Sequence, residues 1–173
     1  MANTLGYQVI KDTTEHTVIK LTGIFDGSGQ EMDHYRVKAN TLTGALDSSK
    51  ANLLSSVANT GPLSYYGLSV SRVWYDTVST GSVSLFWHAD TLKYILNMNG
   101  NGEFGGAGNW LTITNDARGT ANCIGDIGIV TRGMVANNSY TIIMELRKDN
   151  QHYQRGQFND PAAFNYGSYS LRP

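Results

Sequence analysis

The sequence predicts an all-β protein: an antiparallel β-sandwich, jelly-roll-like, that ends in an extended C-terminal arm. Three observations favour this fold class. Short segments rich in β-branched and aromatic residues alternate apolar and polar side chains with a period of two. The 173 residues include 19 glycines, and Asn, Ser and Thr are abundant, which is typical of a protein with many turns. Strand-like segments do not alternate with helical ones, which disfavours a parallel α/β fold.

The chain divides into three parts by composition. Residues 1–16 are polar and mixed, and we expect a loosely placed N-terminal lead there. Residues 17–148 carry the strand pattern and are predicted to form the β-sandwich domain. Residues 149–173 lack that pattern and are predicted to form the C-terminal arm. This length suits one domain with an arm.

The first half of the domain contains two predicted strands. Residues 17–22 are rich in β-branched side chains, which favours a strand. Asp26 and Gly27 form a turn dipeptide, because glycine accepts a positive φ without steric cost. Apolar and polar side chains alternate strictly in residues 34–39, which indicates a strand with one solvent-exposed face. Residues 43–57 have apolar side chains at spacings that allow a short helix.

The middle of the chain has the densest strand signal. Residues 68–75, 82–87 and 92–98 are separated by short turns, and this regular spacing predicts a meander. Residues 99–109 contain five glycines and are predicted to form a long loop rather than a phosphate-binding loop. They lack the Gly-Lys-Ser/Thr ending, and no helix follows to present its N-terminus to a phosphate.

The last three strands are predicted at residues 110–114, 125–131 and 140–147, with a turn at 136–139. About eight strands result, the number that a two-sheet sandwich needs. The residues that share one face of the alternating segments should form the core. They are Ile19, Leu21, Val37, Val83, Leu85, Trp87, Ile142, Met144 and Leu146.

The arm contains five aromatic side chains in 25 residues, and they follow neither a helical nor a strand period. A frayed terminus is one interpretation. The other is an arm whose aromatics dock on a neighbouring subunit, since Tyr and Phe are common interface anchors. In that case truncation after Lys148 should leave the melting temperature nearly unchanged. The predicted partner-binding residues are Tyr153, Phe158, Phe164, Tyr166 and Tyr169.

Charge and composition exclude several classes of protein. Thirteen Lys and Arg oppose fourteen Asp and Glu, so no basic field exists to hold nucleic acid or an anionic membrane. No apolar run is long enough to span a membrane, and residues 1–10 lack the pattern of a secretory signal. We therefore expect synthesis in a cytoplasm. The low charge gives little protection against association, which indicates a homo-oligomer or a partner-bound protein.

Residues that could carry catalysis or bind a metal are sparse, so we predict no enzyme, no metal and no cofactor. None of the four histidines stands at metal-ligand spacing with another His or with the single cysteine, Cys123. No Gly-x-Ser-x-Gly elbow is present. Cys123 has no basic neighbour to lower its pKa, which favours a buried structural thiol. The histidines are His16, His34, His88 and His152.

Two alternatives stay open. Asp26, Glu31 and Asp33, or Asp90, could supply part of a calcium site, although calcium requires six to eight oxygens. Aromatic side chains could instead line a sugar-binding platform, although two of the tryptophans lie in apolar strand patterns that favour the core. The platform residues would be Trp74, Trp87, Trp110, Tyr65, Tyr66 and Tyr75.

Five segments carry a resemblance to a known family. Residues 18–31 (VIKLTGIFDGSGQE) resemble the N-terminal signature of small virion structural proteins of marine tailed phages, especially cyanophages. The segments at 73–75 (VWY), 83–90 (VSLFWHAD), 125–129 (GDIGI) and 139–148 (SYTIIMELRK) are similar to later strands of that family. The likeness covers about residues 17–148, and its motifs are structural rather than catalytic. The arm at 149–173 lies beyond the family's usual end.

The resemblance implies a non-enzymatic component of an assembled particle. We expect a capsid decoration or cement protein that binds the major capsid protein or another virion protein, is located in the virion, and is made in the host cytoplasm. A neck, tail or baseplate component is the alternative within the same particle. A carbohydrate-binding module for host glycans is the alternative from another class.

Overall fold

The computed structural model describes residues 3–31, 34–45, 66–105, 112–117, 120, 123–149 and 153. Within these residues the protein is an antiparallel β-sandwich of two packed sheets. The only helical element described is a 3₁₀ turn at Ala39–Thr41. The strands are β1 (Thr4–Asp12), β2 (His16–Ile24), β3 (His34–Val37), β4 (Leu68–Thr77), β5 (Ser82–Trp87), β6 (Lys93–Met98), β7 (Asn101–Phe104), β8 (Ile113–Thr114), β9 (Ile127–Arg132) and β10 (Ser139–Lys148).

The large sheet has six strands in the order β1-β2-β10-β4-β7, with β8 also paired to β4. The small sheet has four strands in the order β3-β9-β5-β6. The last described strand, β10, lies at the centre of the large sheet between β2 and β4. Six of the nine connections between successive described strands pass from one sheet to the other. The sandwich is therefore assembled from pairings that are distant in the sequence.

The core lies between the sheets and follows the predicted alternation. In β2 the buried positions are every second residue, and β10 shows the same pattern. All nine residues predicted for the core are fully buried, so this prediction is confirmed. Burial of each such aliphatic side chain contributes about 1.5–3 kcal/mol before conformational entropy is subtracted.

Three of the glycines that lie inside strands face an aromatic side chain. Each is the direct cross-strand partner of an aromatic residue, and a Cβ atom added to the glycine would lie 2.2–2.5 Å from the aromatic side chain. A glycine at these positions leaves room for the ring to lie across the neighbouring strand. The pairs are Gly23 with Tyr140, Gly102 with Tyr75, and Gly128 with Phe86.

The predicted N-terminal lead differs from the structure. Residues 4–12 form β1, which pairs along its length with β2 and lies at the edge of the large sheet. The polar composition of residues 4–12 gave no strand signal, because an edge strand exposes one face and one backbone edge to solvent. The sandwich domain therefore begins near residue 4 rather than residue 17.

Two predictions for the middle of the chain are wrong. The meander does not exist, because β4 lies in the large sheet while β5 and β6 form a hairpin in the small sheet. The loop predicted at 99–109 contains β7, which pairs with β4. The short helix considered at 43–57 lies mostly outside the described residues.

Candidate functional site

Tyr153 is one of the five predicted partner-binding residues, and its position contradicts that role. Its side chain is 1% exposed and belongs to the core of its own chain. The hydroxyl donates a hydrogen bond to the carbonyl of Ala39 at 2.7 Å. The ring packs against Tyr66, with 5.7 Å between the ring centroids. Phe158, Phe164, Tyr166 and Tyr169 lie outside the described residues.

The buried ammonium of Lys148 lies beside the Tyr153 ring and helps to hold that side chain in the core. The Lys148 side chain is 0% exposed, and its Nζ donates to Asp12 Oδ1 and to the carbonyls of Thr13 (2.7 Å) and Thr43 (2.8 Å). The ammonium lies 5.2 Å from the centroid of the Tyr153 ring, in cation–π range. Burial lowers the pKa of Lys148, and the carboxylate of Asp12 opposes that shift. The sandwich therefore includes residues beyond 148, and the predicted boundary at 149 is too early.

The histidines and the cysteine do not assemble into a reactive site within the described residues. No group of three or more His, Cys, Asp or Glu side chains there could hold a metal ion. His16 Nδ1 lies 3.5 Å from Glu145 at the surface. Cys123 is buried, and burial raises the pKa of its thiol, which disfavours the nucleophilic thiolate. His152 lies outside the described residues.

Glu31 was a candidate calcium ligand, but its carboxylate points into the protein. The side chain is 1% exposed and accepts hydrogen bonds from Tyr140 Oη (2.6 Å) and Arg36 Nη1 (3.2 Å). Burial, reinforced by the Glu31 charge, raises the pKa of Tyr140, so the phenol stays a donor. Asp26 instead accepts a hydrogen bond from the Ser28 amide in the predicted turn. Glu31 and Asp26 therefore do not converge as calcium ligands, and Asp33 lies outside the described residues.

The candidate functional surface is the face of β1 that points toward the core. Tyr7 and Val9 pair with Leu21 and Ile19, both fully buried in the core. Tyr7 is nevertheless 45% exposed and Val9 42% exposed, because the packing of the small sheet leaves this face of β1 half open. Ile10 occupies the β-bulge that follows and is 52% exposed. We call Tyr7, Val9 and Ile10 the β1 strip.

One backbone carbonyl of β1 is bound by a side chain from the small sheet. Arg36 Nη2 donates a hydrogen bond to the carbonyl of Gly6 at 2.7 Å. Inward-reaching charges of this kind discourage the addition of another strand at a sheet edge. The β1 strip is therefore better suited to side-chain packing than to strand addition. Sequence reasoning missed it, although apolar residues at 7 and 9 alternate with Gln8.

The predicted sugar platform is divided between different parts of the fold. Trp87 is fully buried in the core, and Tyr75 faces inward beside Ile142. Tyr66 packs on Tyr153, whereas Trp74 lies on the outer face of the large sheet. The six aromatics therefore do not form one platform. Trp110 and Tyr65 lie outside the described residues.

Comparison with known proteins adds no family assignment. No protein-family model matches the sequence, and a search of curated proteins found no significant match. Among the described residues no helix has the length and apolar character to cross a membrane.

Proposed function

We propose that this chain is a non-enzymatic virion structural protein that decorates and cements a phage capsid. The observation that carries the proposal is the β1 strip, an apolar surface on a protein with little net charge. Clustered apolar side chains at a surface commonly mark a protein interaction site. The partner proposed for this strip is the major capsid protein or another virion subunit, with self-association as a further use.

The resemblance to virion proteins of marine tailed phages supports the same role. Its segments at 18–31, 73–75, 83–90, 125–129 and 139–148 coincide largely with β2, β4, β5, β9 and β10. These strands supply most of the buried core residues. The likeness therefore concerns the framework of the sandwich, which leaves the edges of the sheets to vary with the binding partner.

A decoration protein needs a rigid body and a modest adhesive surface rather than a catalytic centre. Each copy covers a joint between capsid subunits, and many weak contacts on one particle give a large total stabilisation. The β-sandwich supplies the rigid body, and the half-open face of β1 supplies apolar contacts. Burial of Tyr7 and Val9 against a partner would remove apolar area from water at about 25 cal/mol per Å².

The number of copies in a purified virion tests the proposal. Gel densitometry against the major capsid protein should give hundreds of copies for a decoration protein. Six or twelve copies would indicate a neck, tail or baseplate component instead, and absence from the virion would contradict both assignments.

A binding experiment tests the β1 strip. A Tyr7→Ser, Val9→Ser variant should bind particles that lack the protein at least about tenfold more weakly, because truncation of a hot-spot aromatic costs about 2 kcal/mol or more. Tyr94→Ser is the matched control, because Tyr94 is 52% exposed on β6 in the other sheet. Unchanged binding of the double variant, with the fold intact, would exclude the β1 strip as the contact surface.

A further inference from the structure

The outer face of the large sheet carries a tryptophan that the core does not use. Trp74 of β4 lies beside Ile143 of β10 on one side and Glu103 of β7 on the other. The next row along the sheet consists of Thr141, Asp76 and Asn101 on the same three strands. These two rows line an open groove of ≈ 540 Å³, a volume in the range of small-ligand clefts. We call it the Trp74 groove.

The indole ring is held in place from one side and open on the other. The Arg72 guanidinium lies 4.2 Å from the centroid of the Trp74 ring, and Glu103 holds that guanidinium at 2.6 Å. Arg72 precedes Trp74 by two residues, whereas Asp76 follows it by two and lines the groove. The groove therefore opens beside the indole on the side away from Arg72, so a flat ligand could stack there without displacing the ion pair.

The polar groups of the second row are available to a ligand. The side chains of Asp76 and Asn101 are exposed, and that of Thr141 is half exposed. None of the three has a side-chain hydrogen bond in the part of the chain that the structure describes. They offer a carboxylate, an amide and a hydroxyl, that is, both hydrogen-bond donors and acceptors.

We propose that the Trp74 groove binds a neutral oligosaccharide. A pyranose ring with equatorial hydroxyls has two apolar C–H faces, and such a face packs on the indole of Trp74. Its hydroxyls then lie at the ring edge, where they donate to Asp76 and exchange hydrogen bonds with Asn101 and Thr141. A ligand of this kind satisfies the apolar and the polar parts of the groove at once.

The charged side chains of the groove favour a neutral glycan over an anionic ligand. Asp76 and Glu103 both line the groove, and the nearby cation Arg72 is already paired with Glu103. A uronate, sulfate or nucleic-acid phosphate would therefore meet two carboxylates in a groove whose described lining contains no cation. The groove should reject anionic polymers, which separates this proposal from nonspecific anion binding.

The site is independent of the proposed decoration role. The Trp74 groove involves β4, β7 and β10, whereas the β1 strip lies on β1 and faces toward the core. A protein attached through the β1 strip can keep the outer face of the large sheet free. Many weak glycan sites on one particle would then act together, as multivalent binding requires.

Titration with three neutral hexasaccharides tests the proposal: cellohexaose, N-acetylchitohexaose and maltohexaose, with a galacturonic acid hexamer as the anionic probe. Ligand-observed NMR and calorimetry should detect saturable binding of at least one neutral probe at millimolar concentration, with the galacturonate at least about tenfold weaker. The proposal is wrong if none of the three neutral probes binds, or if the galacturonate binds equally well.

Variants locate the site. Trp74→Ala should abolish measurable binding, and Asp76→Ala with Asn101→Ala should weaken it at least about tenfold without touching a buried side chain. Tyr94→Ala removes an exposed aromatic from the other sheet and should leave binding unchanged. The Tyr7→Ser, Val9→Ser variant should also bind glycan normally while it loses particle binding. Binding that survives in both groove variants would overturn the assignment.

Discussion

Gly23 shows how a single residue controls the packing of this sandwich. A Cβ atom at this position would lie 2.3 Å from Cε1 of Tyr140, whose ring crosses the backbone of β2. The absence of a side chain lets the Tyr140 hydroxyl reach the buried carboxylate of Glu31, which in turn binds Arg36. The glycine thus supports a buried polar network that connects the two sheets.

We expect Gly23→Ala to destabilise the protein by about 1–3 kcal/mol, because the added methyl group overpacks the site and displaces Tyr140. Urea denaturation measures the free energy of unfolding. Gly29→Ala is the control, since no atom lies within 4 Å of a Cβ at that position. Equal effects of the two substitutions would contradict the packing account, because the effect of Gly→Ala on the entropy of the unfolded chain is stabilising at both positions.

Asp12 and Lys148 form the other residue-scale feature, a buried ion pair between the first and last strands. Burial alone would raise the pKa of Asp12, but hydrogen bonds from Lys148, Thr17 and Thr43 lower it below its ordinary value. The unfolded state therefore binds the proton more readily than the folded state. The stability from Asp12 is fully present above about pH 4 and is lost as the pH falls through the lower folded pKa.

Asp12→Asn should lower the free energy of unfolding at neutral pH by about 3 kcal/mol, because it leaves the Lys148 ammonium buried without a counter-charge. The variant should also lose less stability than the parent between about pH 5 and pH 2. Denaturation curves across this range provide both values. Asp76→Asn, at an exposed carboxylate, is the control. An acid profile unchanged by Asp12→Asn would contradict this account.

At the scale of elements, the ends of the chain close the sandwich together. Lys148 joins the end of β10 to Asp12 at the end of β1, and Tyr153 covers that junction. Ala39, at the start of the 3₁₀ turn, is held on both sides: its amide donates to Asp126 Oδ1 and its carbonyl accepts from Tyr153. Tyr153, which follows the end of β10, is therefore part of the core.

Truncation after Lys148 should destabilise the protein by about 3–5 kcal/mol, the usual cost of removing a buried aromatic side chain. This reverses the sequence-based expectation of a nearly unchanged melting temperature. A chain that ends at Gln154 keeps Tyr153 and is the matched control, and Tyr153→Phe should cost only about 1 kcal/mol for the lost hydrogen bond. Equal melting temperatures for the two truncated chains would restore the original boundary.

At the scale of the whole molecule, the pairing order governs how the sandwich assembles. The large sheet is completed only when β10 inserts between β2 and β4, so most of the chain must be present before its central pairing forms. Such non-local pairing is typical of domains that fold in milliseconds to seconds. The described core is built from side chains packed between the two sheets.

We accordingly expect a strong chelator to leave the melting temperature unchanged. Glu31, one of the candidate calcium ligands, is already paired with Arg36 and hydrogen-bonded to Tyr140. Thermal melts with and without chelator provide the measurement. A fall of about ten degrees or more would reveal a bound metal that stabilises the folded state.

The sequence by itself determined which side chains face the core. Alternation with a period of two is a local property of an extended strand, so the nine core residues from Ile19 to Leu146 could be identified without any knowledge of pairing. The turn at Asp26 and Gly27 was equally accessible, because Gly27 has a φ of 87° that glycine adopts freely.

Only the tertiary structure decided which sheet each strand joins. Alternation identifies which face of a strand is buried, but it does not identify the strand with which it pairs. The sequence-based prediction therefore wrongly grouped β4 with β5 and β6 in one meander. The same limit affects the candidate sites. Trp74 and Trp87 have similar local patterns, yet one lies in an outer groove and the other in the core. Tyr153 was placed outside the domain because its burial depends on Lys148 and Ala39, which are brought to it by non-local packing.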